Sequence, residues 1–359
     1  MPPKPRVPRK GHMGRDDTTV ASLTAKRPTK AKKETYKPKA PVVVEPEEIV
    51  APKEEQALVD LFTNAFSPLL TSESLKERIQ TVKSHLYNRD YLAAFGELDN
   101  LQAYVVRWSP ARALCYRWIF MEGACDEISR VFEFGGRRNK KVRNVVSIGA
   151  GAGGELVGMI AAVEEINRDQ DLKEGTTDED KSQFCLKAVD IAAWGPICDR
   201  LLKTSKETLL SKESVVNVKC EFLQHDVLAS DFPADIINQE TDLITLLFTT
   251  NELYTQSLPK TTAFFGSLRE KTSPGCLLLV LESAGSYSTV KLGEDKEYPM
   301  GWLLDYTIVG KDEETAAARS NGWKLLKKED SKWYRIPAGL KYQLELESMR
   351  FLLRVYQRV

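Results

Sequence analysis

The stretch Val145-Val146-Ser147-Ile148-Gly149-Ala150-Gly151-Ala152-Gly153-Gly154-Glu155-Leu156 decides how this chain folds. It opens as an apolar strand, passes through a glycine-rich turn and enters a helix. Glycines serve where the backbone must turn sharply and approach a ligand with no Cβ in the way. The start of the following helix offers free N–H groups to an anionic group. The turn alone leaves the ligand open. Gly149, Gly151 and Gly153 fit a G-x-G-x-G spacing. Gly149, Gly151 and Gly154 fit the G-x-G-x-x-G of dinucleotide enzymes equally well.

Downstream of the turn, strands and helices alternate. Residues 142–148 read as the first strand, and Leu156, Val157, Ile160 and Val163 make a helix face. Residues 167–183 are strongly charged and read as an exposed insertion. Apolar strands follow at 184–191, 215–223, 243–249 and 276–281, with helices around Ile197, Leu201 and Leu202 and at 263–268. Continuous apolar runs suit strands buried on both faces. The alternation implies a parallel sheet with helices on both sides. A long loop carrying Tyr287, Tyr298, Trp302 and Tyr306 is expected next. Residues 322–326 and 333–335 suggest a sixth strand region, and 349–356 a last strand.

Upstream, residues 54–134 are helical in pattern. Leu58, Leu61, Phe62 and Ala65 recur at helical spacing. Ser72 or Ser74 caps a second helix, and a third is expected from Tyr91 to Val106. Ser109-Pro110 reads as the N-cap and first residue of a fourth helix. Residues 135–141 form a turn-rich basic linker. The domains expected are therefore a disordered tail at 1–52, a helical subdomain at 53–139 and an α/β domain at 140–359.

Formal net charge is zero, yet residues 1–40 carry twelve Lys/Arg against three Asp/Glu. A basic tail thus precedes a mildly acidic body. Such a tail suits a polyanionic partner, and the stretch Lys26 to Lys33 suits nuclear import. The alternative is a solvated extension. No apolar run reaches the length of a membrane span, and the start has no apolar signal region. The six cysteines show no C-x-x-C pair, which suits reduced, buried thiols. The three histidines lie far apart, so no metal site is expected.

In an open α/β sheet the ligand lies beyond the carboxyl ends of the strands. Asp190, ending the second strand, can accept both hydroxyls of a ribose; its alternative is a helix N-cap. Asp226-Val227, after the third strand, can meet an adenine; the alternative is a turn. Thr249, Asn251, Glu252 and Tyr254 follow the fourth strand, where reacting groups would meet; Glu252 could instead be a helix-start carboxylate. Tyr287-Ser288-Thr289-Val290-Lys291 matches the Tyr-x-x-x-Lys pair of short-chain dehydrogenases, but Gly285 and Gly293 argue against the helix that pair needs.

Four segments together resemble a fungal family of S-adenosylmethionine (SAM)-dependent methyltransferases that includes the large-subunit (25S) rRNA uridine-N3 methyltransferase. They are Ser147 to Gly151, Leu246 to Leu253, Arg107 to Leu114, and Trp333-Tyr334-Arg335 with Glu347-Ser348-Met349-Arg350. The resemblance covers about residues 55–359. It implies an α/β fold of the class I, Rossmann-like, seven-stranded methyltransferase type, preceded by the helical subdomain and tail. It implies SAM as cofactor, held by Gly149, Gly151, Gly153, Asp190, Asp226, Val227 and Thr249. It implies ribosomal RNA of the pre-ribosomal large subunit as partner, no membrane, and a monomer in the nucleus and nucleolus, with the cytoplasm as a further location. Glu252 is then the candidate base, Asn251 the reader of the base edge, and Tyr254, Tyr287 or Trp302 a stacking platform. Many such enzymes carry an acid two residues before the first glycine; Ser147 stands there here. The competing functions are a nicotinamide oxidoreductase, a ribosome-assembly factor without turnover, and a methyltransferase for protein or small molecules.

Overall fold

The computed structural model describes residues 50–135, 140–170, 181–285, 289–292, 296–310 and 322–359. The basic tail, with its Lys26 to Lys33 stretch, lies outside them, as do most of the linker and insertion, and Tyr287. Residues Glu48–Val359 form one compact unit. No helix among the described residues is long and apolar enough to cross a membrane.

Five parallel strands, β1 (Val142–Ile148), β2 (Ser182–Asp190), β3 (Val216–Gln224), β4 (Leu243–Leu247) and β5 (Leu277–Ser283), and two antiparallel ones, β8 (Trp323–Tyr334) and β9 (Met349–Arg358), form one sheet. Their order is β3-β2-β1-β4-β5-β9-β8. Strand order reverses between β1 and β4, and that reversal opens a crevice at the carboxyl ends. Alternation along each strand covers both faces. Leu277, Leu279 and Leu281 of β5 enter one core, while Leu278 and Val280 enter the other. The sixth strand region is one continuous strand, β8, bent by two register shifts against β9.

One face carries α6 (Gly154–Asn167) and α7 (Gly195–Thr208). Over them lie α1 (Lys53–Leu70), α2 (Leu75–Tyr87) and α4 (Leu98–Trp118). The short α3 (Tyr91–Phe95) precedes α4. A π-helical turn, Ile119–Gly123, links α4 to α5 (Asp126–Phe132). The helices before residue 140 and the α/β part therefore share a core instead of packing as separate bodies. Gly158 shows how close they lie: a Cβ there would sit 3.0 Å from the α4 backbone at Ala113 and Arg117. The other face carries α8 (Thr250–Gln256), α9 (Leu258–Lys271) and α10 (Met300–Ile308), with a small hairpin of β6 (Thr289–Leu292) and β7 (Lys296–Pro299) before α10.

The helix expected from Tyr91 to Val106 is two, α3 and the start of α4, separated at Gly96-Glu97. Ser109-Pro110 does not open a helix; both residues lie inside α4. Proline in a helix interior leaves the carbonyl four residues back without its donor, at a cost of about 3 kcal/mol. That carbonyl is Val106, and the Tyr342 hydroxyl donates to it at 2.7 Å. Ser109 Oγ donates to the Ala152 carbonyl at 2.7 Å, tying α4 to the glycine turn. The expected loop after β5 contains a hairpin and a helix, α10, on which Trp302 stacks between Tyr298 and Tyr306. Finally, Asn167 belongs to α6 and not to an exposed insertion. Its buried amide accepts from Phe134 N and donates to the Phe132 carbonyl.

Candidate active site

A cavity of about 540 Å³ lies at the carboxyl ends of β1 to β4. Its size suits a small molecule or cofactor. Its floor is the glycine turn. Gly149 N donates to the Val189 carbonyl at 2.8 Å, tying the turn to β2. Gly149 holds φ +74°, and a Cβ there would lie 2.1 Å from Thr249 Oγ1. At Gly151 a Cβ would lie 1.8 Å from the Trp194 ring, and at Gly153 2.2 Å from Leu201 Cδ1. The three glycines are thus required first by the protein's own side chains. Gly149 and Ala152 line the cavity; Gly151 and Gly153 support it from below.

Asp190 is fixed by the turn. Its Oδ2 accepts from Gly151 N and its Oδ1 from Ala192 N, both at 3.0 Å. Burial pushes its pKa up, and these bonds, with one from the Trp194 side chain, work against that rise. These donors take most of the four lone-pair sites of its two oxygens, and a ligand hydroxyl meets what they leave. The Asp190 backbone carbonyl also accepts from His225 N, which joins the β2 and β3 ends. Asp226 and Val227 line the far end. The turn reading of Asp226 holds alongside: Oδ1 accepts from Leu228 N at 2.8 Å, and Oδ2 accepts from Gln256 at 2.6 Å.

The β4 end is built differently. The strand stops at Leu247, two residues before the expected end, because Phe248 adopts φ +64°. Left-handed backbone on a bulky residue is strained and concentrates at functional sites. It turns Thr249 into the cavity wall and starts α8. Glu252 lines the cavity. No hydrogen-bond donor of the described residues reaches its carboxylate, and burial, with Asp190 and Glu282 nearby, pushes its pKa up to about 8.

Asn251 and Tyr254 are not where the sequence put them. Asn251 does not line the cavity; its backbone N–H donates to Glu282 Oε2 at 2.9 Å. Tyr254 is buried in the core against Phe265. The reason is helical geometry: residues two apart on a helix point roughly 200° apart. With Glu252 facing the cavity, Tyr254 must face the core. Trp302 is 47% exposed on α10 and does not line the cavity. Lys291 lies on the strand β6; Tyr287 lies outside the described residues.

Several cavity residues escaped the sequence reading. Tyr91 and Leu92 of α3, and Tyr104 and Arg112 of α4, form the wall opposite the strands. Beside the cavity and next to the last residue of β5, Glu282, 3% exposed, accepts from Asn251 N and Ser283 N. A lone carboxylate closing an apolar strand was the available signal for Glu282. For the helical residues there was none, since only the packing of α4 against α6 brings them here.

The family model described as "Putative SAM-dependent methyltransferase" matches residues 62–357. The 25S rRNA (uridine(2843)-N(3))-methyltransferase of Saccharomyces cerevisiae is 38% identical over 319 residues, 84% of this chain and 85% of the yeast protein. Among solved structures, a SAM-dependent methyltransferase of Methanosarcina mazei is 11% identical, with a TM-score of 0.37 over 61% of this chain and 94% of its own. TehB of Haemophilus influenzae is 13% identical, with a TM-score of 0.33 over 60% of this chain and 57% of its own.

Proposed function

Since the chain belongs to the SAM-dependent methyltransferase family, we propose that it methylates N3 of a uridine in large-subunit ribosomal RNA. The similarity to the yeast enzyme along most of both chains carries the substrate. Family membership sets aside the nicotinamide oxidoreductase. The cavity residues fit SAM: Asp190 retains acceptor capacity for ribose hydroxyls, Asp226 and Val227 flank a place for adenine, and Gly149 and Thr249 border the centre. Once bound, SAM supplies an electrophilic methyl group on a sulfonium.

The chain's own residues supply the rest. Uridine N3 carries a weakly acidic proton and is a poor nucleophile until that proton leaves. Glu252 is the base in this reading. A carboxylate raised to about 8 is a better proton acceptor than an ordinary one. A cation in the cavity favours its charged form, so the base is restored when donor is present. The Asn251 backbone N–H holds Glu282, and Asn251 itself is not part of the cavity lining. The target N3 lies on the Watson–Crick edge, so the uridine must be unpaired or flipped out. Nuclear and nucleolar location is part of the same proposal, supported by the basic residues 1–40.

Incubating the purified chain with methyl-labelled SAM and deproteinised large-subunit rRNA, then digesting to nucleosides, tests the reading. Label in N3-methyluridine is expected. Label in another nucleoside, or in protein only, overturns it.

A further inference from the structure

Among the described residues, Arg112 is the only Lys or Arg lining the cavity. It comes from α4, which with α3 forms the wall opposite the strand ends. Its guanidinium lies 5.5 Å from the Tyr104 ring centre and 5.3 Å from that of Phe248. No carboxylate of the described residues forms an ion pair with it, although Glu252 and Glu282 act on it through space. A desolvated cation is costly unless a partner offsets it. The guanidinium lies against the two rings and donates to the Tyr104 hydroxyl, which leaves most of its five N–H donors for a partner. A planar fork of donors matches a carboxylate in two parallel hydrogen bonds.

Position says which anion. The strand order places the ends of β3, β2, β1 and β4 side by side along the cavity. Asp226 marks the β3 end and Asp190 the β2 end. Arg112 sits at the opposite end, with its Cβ 3.3 Å from where a Cβ on Gly154 would be, and its head over Phe248 after β4. A donor with its adenine by Asp226 and its ribose by Asp190 lays its amino-acid portion at that end. The charges are also complementary. SAM carries two cationic groups and one carboxylate; the described lining carries Asp190, Asp226 and Glu252, with Glu282 beside it, against Arg112.

We propose that Arg112 binds the carboxylate of the methionine portion of SAM, so that α4 completes the donor site. The proposal rests on the donor and not on the RNA substrate. It also gives the helical region before residue 140 a role: it delivers the one cation the strand ends lack.

The test is calorimetric binding of SAM and of decarboxylated SAM to the full chain and to Arg112→Gln and Arg112→Lys. The unsubstituted chain should prefer SAM by about 10–100-fold, the usual range for a hydrogen-bonded charged group. Arg112→Gln should lose most of that preference by weakening SAM alone, with decarboxylated SAM changed by no more than about twofold. Arg112→Lys keeps the charge without the fork and should fall between. Equal weakening of both ligands in Arg112→Gln would overturn the proposal and leave a packing role. So would an unsubstituted chain that binds the two ligands equally. A chain that binds neither overturns the donor assignment itself, a result distinct from both.

Discussion

The ends of β2 and β4 each present one carboxylate to the same cavity, and the two are held in opposite ways. Asp190 accepts backbone hydrogen bonds on both oxygens. Glu252 accepts none from the described residues and feels two neighbouring carboxylates. Burial raises both, but hydrogen bonds oppose the rise at Asp190 alone. One group is a fixed acceptor built into a backbone turn. The other is free to exchange a proton. The contrast teaches that what surrounds a carboxylate decides whether it holds a ligand or works on one.

The largest expected effect breaks the first region. Gly151→Arg must displace Trp194, which lies where its Cβ would be and which also bonds Asp190. SAM binding should be abolished by calorimetry. Stability should fall by about 1–3 kcal/mol, the usual cost of overpacking, in urea unfolding. A folded variant with unchanged SAM affinity would show that the turn does not shape the donor site.

The second effect breaks the other region. Glu252→Gln should lower turnover by about 10²–10⁴-fold, as expected for a positioned general base. Its SAM affinity should change far less, and raising the pH should restore part of the rate by ionising the uridine itself. If only SAM binding suffers, Glu252 belongs to the donor pocket and the base lies elsewhere.

Asp190→Asn sharpens the comparison. One carboxamide face must then point N–H groups at a backbone N–H, leaving donors unmet. SAM affinity should drop about 10–100-fold, from a penalty of about 1–3 kcal/mol. Turnover at saturating SAM should change less than in Glu252→Gln.

These substitutions also show what the sequence could carry. The glycine turn and β1 are local: residues 142–148 were expected as a strand and form one. The remaining parallel strands fell within two residues, since apolar runs mark them. The β4 end was harder. Phe248 takes a left-handed turn that no propensity announces, and that turn sets which side of α8 faces the cavity. Glu252 was legible there and Tyr254 was misread for one reason, the helical step between them. Ser109-Pro110 was misread because its rescue, Tyr342, lies 236 residues from Val106. Arg112 carries no local signal because its role arises from tertiary packing.

Smaller effects follow from pH. Burial, the largest cause in each case, pushes Glu155 up to about 7 and Glu252 up to about 8, from an ordinary 4.5. Between those values the native chain binds more protons than the unfolded one. Their contribution to stability is therefore full below pH 4.5 and is lost as pH rises through 7 and 8. The midpoint of thermal unfolding without ligand should fall across that window, and less so in Glu252→Gln. SAM affinity should rise over the same window, because a cation binds the ionised carboxylate better. Opposite slopes would contradict the environment described for Glu252. The smallest effect on the cavity belongs to the tail. Deleting residues 1–40 should leave SAM affinity intact while weakening RNA binding and flattening its salt dependence.

Methylation of uridine N3 in ribosomal RNA by this cavity has a readout in cells. Nucleoside mass spectrometry of large-subunit rRNA compares cells with the gene, without it, and with Glu252→Gln in its place. N3-methyluridine at one position is expected in the first, and its loss in the other two. An unchanged N3-methyluridine content in cells lacking the gene would contradict it.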